Sequence, residues 1–150
     1  SSMADWYAEN VSEDALELRA KMLKLLFEET KLLEIVKLVG EDVLPDDQRL
    51  ILEISKVIKN GFMQQNAFHT EDTYVPLKKQ YLMLKVIDYL YDRAYKAVKQ
   101  GIPISKVKDD GVFSEVTKMK YNIPNDRLEK IDRVKEHIRD FYDELEAEYA

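Results

Sequence analysis

Apolar residues recur along this chain at intervals of three and four, the period of an α-helix, and nowhere alternate one by one as a half-buried strand requires. Ser12 followed by Glu13 and Asp14 predicts an N-cap with first-turn acids, and Gly40 a C-terminal stop, so a first helix is expected over 13–39. Its apolar residues fall in two stripes, Leu16, Ala20, Leu23 and Phe27 on one, and Leu18, Met22, Leu25, Leu32, Val36 and Val39 on the other. A helix apolar over so wide an arc packs on two sides, which predicts a central, well-buried element. Pro45 opens a second helix near 46–60, with Leu50, Ile51, Ile54, Val57 and Ile58 inward and Gly61 at its end. Pro76 fits the first turn of a third helix that closes at Gly101. That helix is also doubly striped, through Leu77, Tyr81, Leu84 and Tyr91 and through Met83, Ile87, Leu90 and Ala94, and is expected in the core.

The last third is broken by Ile102-Pro103 and by Asp109-Asp110-Gly111 into one or two short helical pieces, the second near 112–120. After Pro124, Asn125 is expected to cap a final helix whose Leu128, Ile131, Val134, Ile138, Phe141 and Leu145 repeat at three or four residues. The pattern therefore predicts an all-α fold, a five- or six-helix bundle, as one domain over 1–150 with residues 1–11 as a lead-in segment. No repeat, low-complexity tract or flexible linker divides it.

Composition agrees with a single core: 150 residues, 45% hydrophobic and 35% charged. The net charge of −6, with the signs interleaved, argues against nucleic acid as a partner. There is no cysteine, so disulfides and thiolate metal sites are excluded. No apolar run approaches the roughly 18 residues of a membrane span and no signal peptide is visible, so a soluble chain without direct membrane insertion is expected.

Catalytic constellations are absent from the pattern. Gly40, Gly61, Gly101 and Gly111 stand too far apart to form a loop that cradles phosphates. His69 and His137 fall in different elements with no nucleophile beside either. His69 near Glu71 and Asp72 reads as solvated loop polarity and His137 as a surface residue of the last helix, so neither a metal nor a cofactor is expected in this chain by itself.

Two segments between helices carry more information. Phe62-Met63-Gln64-Gln65-Asn66-Ala67-Phe68, with Asp72-Thr73-Tyr74-Val75-Pro76-Leu77-Lys78-Lys79-Gln80 close behind, puts amides and phenylalanines together at a break in the helical pattern. The phenylalanines can staple the loop to the bundle, but aromatic faces beside amides also suit a purine base. The second segment, Gly40-Glu41-Asp42-Val43-Leu44-Pro45-Asp46-Asp47, carries four carboxylates between two helices, where Asp46 and Asp47 favour the N-terminus of the second.

These segments resemble the C-terminal helical domain of the catalytic A subunit of archaeal A-type and vacuolar V-type rotary ATPases. There the loop reads F-L-Q-Q-N-A-F and then D-T-Y-C-P-x-E-K-Q, with Val75 here in place of the Cys and Lys78 in place of the Glu. The resemblance is specific from Leu33 to Gln80, including L-x-E-I-V-x-L-V-G, Leu44-Pro45 and Leu50-Ile51-Leu52-Glu53. Asp5-Trp6-Tyr7 with Asn10-Val11-Ser12 adds to it. Beyond Lys85 it rests on Gly101-Ile102-Pro103 and Met119-Lys120-Tyr121.

The resemblance implies that Phe68, with Gln65 nearby, lies at the adenine side of the nucleotide site in a longer parent subunit, while Phe62 packs inside. It also implies that the acidic turn, Glu41, Asp42, Val43, Leu44, Asp46 and Asp47, is a lever against the central rotor, in the place of the D-E-L-S-E-E-D loop of F-type β subunits. A lever of that kind predicts a protruding turn with Leu44 exposed. The parent would be an ATP hydrolase or synthase using ATP or ADP with Mg, cytoplasmic and peripheral to the membrane. Its implied partners are the remainder of the catalytic polypeptide, neighbouring B subunits and the central-stalk rotor subunit; the chain alone would not be an enzyme. A stand-alone helical module that binds a protein partner remains the other reading of the same residues.

Overall fold

The computed structural model describes the backbone of residues 2–63 and 75–150, and the side chains of that range from residue 13 onward. Six α-helices occur among them: α1 (Ser2–Val39), α2 (Asp46–Ile58), α3 (Leu77–Lys99), α4 (Ile104–Val107), α5 (Asp110–Asn122) and α6 (Lys130–Glu148). A 3-10 turn over Glu41–Val43 joins α1 to α2, a π turn over Lys59–Met63 follows α2, and there is no strand among the described residues.

The helix boundaries follow the punctuation where the backbone demands it. Gly40 and Gly101 both adopt positive φ, 88° and 92°, a region that favours residues without Cβ. At Gly101 the stop is a Schellman motif. Gly101 N–H donates to Val98 O at 2.9 Å, Ile102 N–H to Ala97 O at 3.2 Å, and the buried Ile102 side chain folds back under the helix end. Asp109 caps α5, its carboxylate accepting from Val112 N–H at 3.0 Å.

Two predicted starts are not used. α1 begins at Ser2 rather than 13, because nothing before Gly40 is a glycine or proline and Ser12 is carried inside a continuing helix. Asn125 does not cap α6, which begins after two turns at Lys130. Instead its Oδ1 accepts from Lys79 Nζ at 2.8 Å.

α3 is the centre of the molecule, packed by α1, α2, α4, α5 and α6. Met83, Leu84, Val86, Ile87, Leu90, Ala94 and Ala97 are all buried, and the predicted inner Leu77 is not, since it overhangs the first turn beyond the bundle. α1, expected to be equally central, lies on the flank against α2 and α3. Its Leu18, Met22, Leu25 and Leu32 are buried, whereas the other stripe, Leu16, Leu23 and Phe27, is exposed, and so is Val39.

Polar ties fix α1 to the body. Tyr81 O–H donates to Asp14 Oδ2 at 2.6 Å, Lys21 reaches Asp88 and, at 2.9 Å, Asp92, and the buried Glu29 pairs with Lys59 at 2.9 Å. At the other side Arg93 reaches Asp143 at 2.6 Å. There, too, the buried Tyr142 donates its hydroxyl to Val107 O at 2.7 Å, joining α6 to α4.

Gly61 does not end α2 but lets it continue into the π turn and touch α5. A Cβ placed on it would lie 3.0 Å from Thr117 Cα. No helix of the described residues is long and apolar enough to cross a membrane.

Candidate functional site

The acidic turn is held from both ends. Gly40 N–H donates to Val36 O at 2.8 Å as α1 stops, and Leu44 N–H donates to Glu41 O at 3.0 Å, closing the 3-10 turn. Pro45 then leaves the extended region free for the chain to enter α2, with Gln48 and Arg49 N–H both donating to its carbonyl at 3.0 Å. Asp46 and Asp47 sit in the first turn of α2, where unpaired N–H groups favour negative charge.

Within this frame the six predicted contact residues separate. Leu44, expected to be exposed, is only 6% exposed and forms a small second core with Leu32 and Leu52, flanked by Val36 and Ile51. An apolar side chain bent back over two helices gains more from that packing than from solvent. Asp46 is occupied as well, its Oδ2 accepting from Ile104 N–H at 3.0 Å and so capping the first turn of α4. Glu41 faces Arg49 at 3.8 Å, an ion pair too long for a hydrogen bond. Asp47 Oδ1 accepts from the neighbouring Gln48 N–H at 3.0 Å and is half-buried.

Asp42 and Val43 are left facing outward, Val43 at 58% exposure. Beside them the last turn of α1 presents Leu38 at 85% and Val39 at 59%. Sequence periodicity placed Val39 inward and assigned Leu38 nowhere. A helix end that stops at Gly40 simply runs past the body it packs on, which the period of three and four does not register.

Phe68 and Gln65, predicted for the adenine side, lie outside the described residues, as does His69. The residues on either side of that segment are tied to the bundle. Phe62 is half-buried against the main core, as expected, and the π turn that carries it is pinned by Gly61 on α5. On the far flank Gln80 Nε2 donates to Val75 O at 2.9 Å, and its Oε1 accepts from Arg19 at 2.8 Å.

Lys79, to which the sequence pattern gives no role, is buried, with Nζ donating to Lys120 O at 2.9 Å, Ile123 O at 2.6 Å and Asn125 Oδ1 at 2.8 Å. It thereby satisfies carbonyls at the C-terminal end of α5, where a cation is favoured. A lysine two residues after a predicted helix start gives no sequence signal of this.

His137 stands on α6 as expected, paired with Glu115 of α5 at 2.8 Å. Among the described residues no group of three His, Cys, Asp or Glu could hold a metal ion.

Comparison with known proteins gives these features a common setting. Residues 4–108 match the family model described as the C-terminal domain of V and A type ATP synthase. The chain is 62% identical over 147 residues to the V-type ATP synthase alpha chain 2 of Clostridium tetani, covering 98% of this chain and 25% of that protein. It is 51% identical over 147 residues to the V-type ATP synthase alpha chain of Halothermothrix orenii, covering 98% and 25%. To the A subunit of the A-type ATP synthase of Methanopyrus kandleri it is 43% identical over 141 residues, covering 93% and 24%. The chain thus spans about a quarter of the length of these relatives. The family match over residues 4–108 and these identities make this chain a member of the family of C-terminal domains of V- and A-type ATP synthases.

Proposed function

We propose that this chain is the C-terminal helical domain of a catalytic subunit in a rotary ATP synthase or ATPase, and that it passes force between the nucleotide site and the central shaft. Its partners in that reading are the remainder of the subunit, neighbouring B subunits and the shaft, in a complex peripheral to the membrane on the cytoplasmic side. The nucleotide, ATP or ADP with Mg, is held by the rest of the subunit, which supplies the hydrolysis or synthesis. Phe68 and Gln65 lie at the adenine edge.

The observation that carries the reading is the division of labour in the acidic turn. A lever must be stiff where it joins the body and adhesive where it meets the shaft. Leu44 is buried between α1 and α2 and Asp46 is tied to α4, which stiffens the base. Leu38, Val39, Asp42 and Val43 are exposed within six residues of chain, which supplies a mixed apolar and acidic tip. Contact with the shaft therefore falls on these four, and Leu44 serves as the anchor.

In the assembled enzyme, Leu38→Ser with Val43→Ser should leave ATP hydrolysis nearly intact while lowering the torque or ion transport obtained per ATP. Unchanged coupling in that double variant would remove the turn from the shaft interface.

A further inference from the structure

α1 has two apolar faces and the described body covers one of them. Leu18, Met22, Leu25 and Leu32 pack against the bundle, whereas Leu16, Leu23 and Phe27 are 67, 62 and 63% exposed, with Ala20 also exposed between them. Steps of four, three and four residues bring these side chains into one line along the helix, on the side away from α2 and α3. The line runs for about 16 Å. Single apolar residues on a surface are ordinary, but three large ones and an alanine in successive turns of one face mark a contact surface. Lys31 lays its Nζ 4.7 Å from the Phe27 ring centroid at the far end of the line. The rim carries both signs, with Glu13 and Glu17 near one end and Lys24 midway, so its occupant is an apolar surface rather than a strongly charged one.

Resting on the reading of this chain as the C-terminal domain of a longer subunit, we propose that the Leu16–Phe27 stripe is the docking face for the part of the same subunit that precedes it. The matched region makes up 25% of the relatives' length and is by description their C-terminal domain, so about three quarters of such a polypeptide comes before it. That part enters through α1 itself. A globular body of about 440 residues has a radius of gyration of about 22 Å, larger than the length of the stripe. A body joined to this chain through α1 is therefore large enough to cover it. Its covalent tether also gives it an effective concentration that a separate subunit lacks.

The chain contains no cysteine, so Leu23→Cys creates a single thiol at the middle of the stripe. Maleimide labelling of that thiol is measured in this chain, in the full-length subunit purified alone, and in the assembled complex, each read by peptide mass spectrometry. Lys118→Cys on the exposed side of α5 serves as the reference. The expected result is rapid labelling in the chain and labelling slower by at least about tenfold in the lone full-length subunit, with the reference unchanged. Equal rates in the chain and the lone subunit overturn the proposal. If protection then appears only on assembly, the stripe belongs to a neighbouring subunit instead. The underlying functional reading stands or falls separately, on whether the lone full-length subunit binds nucleotide.

Discussion

At the scale of single residues, polar groups tie the helices together, Tyr142 to a backbone carbonyl and Tyr81 and Lys21 to carboxylates of other helices. Burial pushes the Tyr142 hydroxyl well above its ordinary value of 10.0. Tyr81 is also raised, by its hydrogen bond to Asp14 and then by burial. For Lys21 burial acts to weaken the charge, but the hydrogen bonds to Asp88 and Asp92 more than offset it and the group ends above 10.5. Groups raised in this way stabilise the fold fully below their ordinary values, and that stabilisation is lost as pH rises through the folded ones. Melting temperature should therefore be insensitive to these groups between about pH 7 and 9 and fall above about pH 10. Tyr142→Phe tests the assignment. At neutral pH it should cost about 1–3 kcal/mol by leaving the Val107 carbonyl without its donor. Above pH 10 the gap between wild type and variant should narrow, because only the wild type loses the stability linked to ionisation of Tyr142 in the unfolded chain. A gap that widens with pH would contradict the role given to Tyr142.

At the scale of elements, the informative differences lie where a residue's partner comes from elsewhere in the chain. Gly40 and Gly101 were legible as stops because positive φ is a local demand. Asn125 was not, since a residue after proline before a helical run reads as a cap and only the arrival of Lys79 from α3 redirects it. Leu44 was misread for a similar reason. A turn pressed against a shaft implies an outward Leu44, and only the crossing of α1 and α2 supplies Leu32 and Leu52 as its neighbours. Leu44→Ser should accordingly destabilise the isolated chain, by about 2–4 kcal/mol on the scale of buried leucine truncations. Val43→Ser should change it by less than about 0.5 kcal/mol, as exposed substitutions do. Urea unfolding of both variants decides this, and equal effects would mean that the turn has no anchored base.

At the scale of the molecule, the helix count, the all-α class and the central position of α3 were readable from periodicity, because α3 meets its partners within this chain. The double stripe of α1 was read correctly as apolar on two sides, yet its second side finds no cover in the described residues. The nucleotide-side role proposed for Phe68 and Gln65 came from the resemblance rather than from any period. One wall of a binding pocket does not hold a triphosphate, so the isolated chain should neither hydrolyse nor measurably bind ATP by calorimetric titration, and micromolar binding would refute its place as one part of a larger site. In the full-length subunit Phe68→Ala should weaken nucleotide binding by roughly 5- to 150-fold, if a base–aromatic contact is worth about 1–3 kcal/mol. Turnover at saturating ATP should fall less, since the base is remote from the reacting phosphate. An unchanged KM in that variant would take Phe68 out of the site. The π turn over Lys59–Met63 has a bearing on how such a molecule can change length. A π turn accommodates one residue more than an α turn over the same rise, so the chain carries one residue of slack between the half that bears the acidic turn and the half that follows. Asn60 is exposed there, while Gly61 next to it is wedged on α5. Loss of one residue at Asn60 can be absorbed by tightening that turn, whereas the same deletion within α3 would rotate every later core side chain by about 100°.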